Sequence, residues 1–177
     1  MRWLRNFKCN TEEMKKMKKI FIACVLGLAC MLQLAADDGF GLGVWFDVPS
    51  RIGGKAIEGV GLGLPVIANR ETEGASLALC GNNVQAMEGL QLALFGFNYA
   101  RSLEGVQLGF VNMLRAQSGD YALQLGFFNQ SGENGVQLGF FNQAQNNATL
   151  QLGLININKN GLLPIMIFVN FGRDLFD

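Results

Sequence analysis

The alternation of apolar and polar positions in this chain forms one phrase that recurs. Between Gly105 and Asn156 it reads GVQLGFVN, ALQLGFFN, GVQLGFFN and TLQLGLIN, in the register G-x-Q-L-G-F-x-N. Weaker copies begin at Gly39, Gly59, Gly74 and Gly89, and a last one at Leu163. The nine copies follow at spacings of 20, 15, 15, 16, 17, 13, 14 and 14 residues. Self-similarity at a short period outranks local propensity in deciding a fold. Inside a copy Val136, Leu138 and Phe140 fall on one side and Gln137, Gly139 and Phe141 on the other, which is the period of a β-strand. One face is wholly apolar and the other is mixed and small. The runs between copies, QSGENG (130–135) and QAQNNA (143–148), carry residues that favour tight connections.

Such units stack either as an antiparallel meander or as a parallel solenoid. A straight strand of eight residues runs about 27 Å, and the five or six residues left in the shortest repeats return only about 20 Å. Parallel crossovers need about a dozen residues, whereas hairpins need two to five. Glu58, Glu73, Glu88 and Glu104 each precede the leading Gly of a copy. Parallel stacking would bring these like charges together on one edge, which is unfavourable unless a cation binds. The column of Asn112, Asn129, Asn142, Asn156 and Asn170 points the other way, because identical stacked strands support Asn ladders. A corner at the repeat's Gly would also make the solenoid feasible. The expectation is an all-β, repeat-built antiparallel meander of about 8–10 strands, closed into a barrel to remove its edges. A β-solenoid is the alternative. Both faces carry bulky apolar residues, so the pattern leaves open which one points inward.

Composition changes the picture at the N-terminus. Seven of the fourteen Lys and Arg lie in the first nineteen positions, and from Asp37 onward seven basic residues face twelve acidic ones, a balance of 7 − 12 = −5. That disfavours nucleic acid as a partner. Residues 17–36 read MKKIFIACVLGLACMLQLAA, with a basic start, an apolar run and small residues, the layout of a secretory signal. The expected organisation is 1–16 as an upstream start or extended basic region, 17–36 as signal, and 37–177 as a single β-repeat domain. The apolar run is short for a membrane span of about 20 residues. Cys24 and Cys30 lack the Leu that a lipidation site needs three residues earlier. Removal of the signal leaves Cys80 alone, and its neighbours Leu77, Leu79 and Val84 predict a buried small hydrophobe.

The same repeats, closed by LPIMIFVNFG at 163–172, resemble a bacterial surface-repeat family first named from leptospires. Its members are described as secreted proteins or lipoproteins of unknown function. The resemblance covers Gly59 to Gly172 and implies an exported protein of the periplasm, outer membrane or cell surface. It supplies no catalytic residues.

Candidate chemistry is sparse. The chain has no His, which excludes a Ser-His-Asp relay and the common His-containing zinc sites. Glu71 and Glu73 read as a solvated turn rather than an acid/base pair. The four repeat-leading Glu residues are the one constellation worth testing, as a weak calcium edge. The structural positions singled out are Gln107, Gly109, Asn112, Gln124, Gly126, Asn129, Gln137, Gly139, Asn142, Gln151, Gly153 and Asn156. Their amides are expected to bind the sheet together through side-chain hydrogen bonds, with a carbohydrate-binding or adhesive face as the functional reading. Phe128 and Phe141, placed beside Gly126 and Gly139, are expected to pack across the glycine gaps. No catalytic residue, cofactor or metal is assigned. The functional expectation is a non-enzymatic exported envelope protein, structural or interaction-mediating. The alternative is a small outer-membrane barrel or pore.

Overall fold

A computed structural model describes residues 39–43, 56–115, 121–132, 134–145 and 149–175. The expected upstream segment, signal and cleavage point lie outside them. The described residues form ten strands in one sheet whose order follows the chain: β1 (Phe40–Gly43), β2 (Ala56–Gly63), β3 (Val66–Ala78), β4 (Gly81–Ala93), β5 (Phe97–Leu108), β6 (Val111–Leu114), β7 (Tyr121–Ser131), β8 (Asn134–Ala144), β9 (Thr149–Asn158) and β10 (Ile165–Phe171). Every pairing from β1 to β9 is parallel, and only β10 runs antiparallel to β9. The protein is thus a β-solenoid of about six turns rather than a meander or a barrel.

The expectation of a meander fails on one assumption, that a copy runs straight. Each copy bends twice. Its leading Gly takes a positive φ at Gly59, Gly74, Gly89, Gly105 and Gly135 (121° to 144°), a region closed to most side chains. The chain turns again after the second Leu, at Gly109-Phe110, Gly126-Phe127 and Gly139-Phe140, so that Leu125 and Phe128 lie on two different arms of one coil. Short arms close a coil within 13 to 17 residues, which a straight strand cannot do. The repeat-leading carboxylates do stack in register, Glu58 on Glu73, Glu88 and Glu104.

The inside of the coil settles which face is core. Gln91, Gln107, Gln124 and Gln151 have no exposed surface, Gln137 has 1 %, and Asn82, Asn98, Asn112, Asn129, Asn142 and Asn156 have none. Apolar residues complete the interior in two clusters. Leu42, Ile57, Ile67 and Ala78 fill the early coils, and Val84, Met87, Ala100, Leu103, Leu114 and Ala122 the middle ones. The repeat's Val, Leu and first Phe positions point outward. β10 closes the C-terminal end, where Asn170 turns inward opposite Gln151. A bulge between Met166 and Phe168, with φ 69° at Phe168, kinks this last strand, a feature that blunts sheet edges.

Candidate functional site

Two amide ladders run through the interior. In the first, each Gln Nε2 donates to the Gln Oε1 one rung earlier: Gln107 to Gln91 (2.7 Å), Gln124 to Gln107, Gln137 to Gln124 and Gln151 to Gln137 (each 2.8 Å). In the second, each Asn Nδ2 donates to the Asn Oδ1 one rung later, from Asn82 through Asn98, Asn112, Asn129 and Asn142 to Asn156 (2.8–2.9 Å). The ladders therefore point in opposite directions, and their dipoles oppose. A backbone acceptor helps to fix the orientation of most of these amides. Gln124, Gln137 and Gln151 also donate to the carbonyls of Gln130, Gln143 and Ile157 (3.0–3.1 Å), and Asn98, Asn112 and Asn142 to those of Leu108, Leu125 and Leu152 (2.7–3.0 Å). These are the bonds that make buried amides tolerable, since an unpaired buried polar group costs about 1–3 kcal/mol.

The repeat glycines make room for the Asn ladder. A Cβ at Gly126, Gly139 or Gly153 would fall against the carbonyl of the preceding rung's glycine and against an Asn amide. The ladders end in different ways. Ser76 Oγ donates to Asn82 Oδ1 (2.9 Å) and so caps the first Asn. Gln151 Oε1, at the other end, is buried and accepts no hydrogen bond among the described residues. Its neighbour Asn170 directs Nδ2 to Leu163 O instead.

All twelve positions singled out from the sequence are thus brought together as one structural spine. The amide columns are the inside of the protein, so they offer nothing to a sugar. Phe128 and Phe141 do not share the Gln face. They lie beyond the corner, stacked at 6.1 Å and half-buried on the outside. Cys80 is also displaced from its expected place, being exposed at a corner wider than those of the later coils. The repeat-leading Glu side chains are exposed and single-file, and no group of three or more His, Cys, Asp or Glu is placed to hold a metal ion among the described residues. Glu71 and Glu73 are both exposed, on either side of buried Thr72. A cleft of about 390 Å³ lies beside Tyr99, Met113, Arg115, Gln130 and Gln145.

What the surface does present is a ridge. One flank carries two in-register outward columns, Val60, Ala75, Leu90, Val106, Leu123, Val136 and Leu150 beside Leu62, Leu77, Leu92, Leu108, Leu125, Leu138 and Leu152. The corner forms the crest, with Leu94, Phe95, Phe110, Phe127, Phe140 and Leu154 at 57, 82, 58, 47, 46 and 40 % exposure. Phe110, Phe127 and Phe140 stack with centroids 5.1 and 4.9 Å apart and planes within 6°. Rings stacked along the solenoid present edges, not faces, to the outside. The second flank continues with Phe97, Val111, Phe128, Phe141 and Ile155, in register. The crest is convex because the inward side chains of the two flanks meet: Gln124 on the first reaches the carbonyl of Gln130 on the second. The sequence pattern contained this ridge as the wholly apolar face, and what it lacked was the sign of its direction. No family model matches the sequence, and neither a curated protein nor a solved structure matches it.

Proposed function

We propose that this chain is a non-enzymatic, exported β-repeat protein of the cell envelope, structural or interaction-mediating, whose working surface is the apolar ridge. One observation carries the reading: the polar side chains of the repeat are consumed inside, while its Val, Leu and Phe positions are outside. A contiguous apolar patch of this kind marks an interaction surface rather than a folding requirement. The repeat-leading carboxylates form an exposed in-register file, outside any sheltered arrangement of the kind that acid/base catalysis uses. Export rests on the signal-like layout of residues 17–36 and on the resemblance of the repeat to surface-repeat proteins. Fractionation of the native host tests it. The expected result is the chain in the envelope or medium with residues 17–36 removed, and cytosolic protein retaining them would overturn the reading.

The membrane-associated alternative gains support from the outward ridge, but without its barrel. A solenoid whose interior is filled by stacked amides and apolar side chains has no lumen, so a pore is not proposed.

A further inference from the structure

We propose that the ridge seats in the acyl-chain layer of a lipid bilayer, lying along the membrane surface rather than spanning it. The proposal rests on the reading that the ridge is the working surface, and three observations select the occupant.

The first is rung-to-rung backbone pairing along much of the crest. Hydrocarbon tolerates protein backbone only where its N–H and C=O groups are already paired. The crest pairs rung to rung: Phe95 N donates to Leu79 O (2.9 Å), Phe127 N and Phe128 N to Phe110 O (3.0 Å), Gly109 N to Leu125 O and Val111 N to Gly96 O (3.1 Å).

The second is shape and area. A second copy has to lie flat on one flank, because two convex crests cannot interdigitate along both. One flank with its crest measures about 29 Å over six rung steps by about 10 Å, roughly 300 Å². A standard protein interface takes about 800 Å² from each partner. A fluid layer wraps both flanks at once, and the ring edges of the Phe stack are suited to alkyl contact.

The third is charge. Glu58, Glu73, Glu88 and Glu104 precede the first flank, Arg70, Arg101 and Arg115 follow the second, and the outward columns between them hold no charged residue. Insertion of the ridge therefore buries no ion. With a balance of −5 from Asp37 onward, and with the file of Arg70, Arg101 and Arg115 at one border of the ridge offset by the Glu file at the other, the chemistry fits a zwitterionic surface rather than an anionic one, which polybasic segments attract. At the C-terminal end of the crest Phe168 holds a 69 % exposed ring on left-handed backbone, a conformation that non-glycine residues seldom adopt. It extends the same crest.

The test is flotation with phosphatidylcholine vesicles, using the chain purified from its own host so that any processing has taken place, beside a Phe110→Ser/Phe127→Ser/Phe140→Ser variant. Far-ultraviolet circular dichroism checks that each protein is folded, and a single Phe127→Ser variant serves if the triple does not fold. The expected result is that the parent floats, that the triple variant loses at least tenfold in partitioning and the single variant a measurable part of it, and that adding anionic phosphatidylglycerol does not strengthen binding. Three results overturn the proposal: no flotation of the parent, equal flotation of folded variants, or binding that appears only with anionic lipid and vanishes in salt. Light scattering on the same samples separates it from the broader reading. A lipid-independent dimer lost in the variants would sink the bilayer as occupant and leave the ridge as an interaction surface, whereas monomers that bind nothing would remove both.

Discussion

Gln124 is the residue on which the interior is most easily tested, because three neighbours depend on it. It donates to Gln107 Oε1 and Gln130 O, and accepts from Gln137 Nε2. Replacement by Leu, similar in size and apolar, orphans Gln107 Oε1 and should lower unfolding free energy by about 2–4 kcal/mol. Gln151→Leu should lose about 1–2 kcal/mol, since it also deletes an acceptor that already lacks a partner. Denaturant unfolding of the two variants checks the order, and equal losses would contradict the ladder polarity. Among the glycines the contrast is between Gly139 and Gly61. A Cβ at Gly139 meets backbone and an Asn amide of the previous rung, while at Gly61 the nearest atom is the movable Ile67 Cδ1 at 3.0 Å. Gly139→Ala should cost about 2 kcal/mol or more, within the range of overpacking, and Gly61→Ala less than about 1 kcal/mol, both read as shifts in Tm.

At the scale of the element, the parallel rung explains what the repeat was for and where its reading ran short. The columns Gln107, Gln124, Gln137, Gln151 and Asn112, Asn129, Asn142, Asn156 were legible as ladders, because identical residues at a fixed period can only align by stacking. The direction of the strands was not. A tally of residues per return assumes straight strands, and the bend depends on Gly126 and Gly139 being corners rather than ordinary sheet positions, which no single repeat reveals. The inward face was hidden for a related reason. Hydrophobicity assigns Leu138 to the core, but a coil this narrow has room for side chains that pair with one another and with its own backbone, and amides do both. The in-register Glu column remains unfavourable, as the spacing implied. Glu73→Gln/Glu88→Gln/Glu104→Gln should therefore raise stability by about 0.5–1 kcal/mol in low salt and by almost nothing in high salt, with chelators leaving the parent's Tm unchanged. A calcium-bridged edge would give the reverse, a less stable variant and a chelator-sensitive parent.

Among the described residues the repeat inverts the usual arrangement of a small β-protein, with its Gln and Asn side chains inside beside the apolar clusters of the early and middle coils, and its Val, Leu and first Phe positions outside. The inversion costs little because every amide in the spine has at least one partner. It leaves a convex apolar crest about 19 Å long, four rung steps, beside outward columns that run about 29 Å over six steps. Its direction is the central claim, and thiol labelling of single introduced cysteines under native conditions tests it most directly. In a background with the native cysteines changed to Ser, Phe127→Cys on the crest should react at nearly the rate of an unfolded thiol. Leu103→Cys, which replaces a side chain with no exposed surface, should react only as fast as the protein unfolds. Protection of position 127 together with rapid labelling of position 103 would mean that the apolar face is the core after all, and would contradict the account.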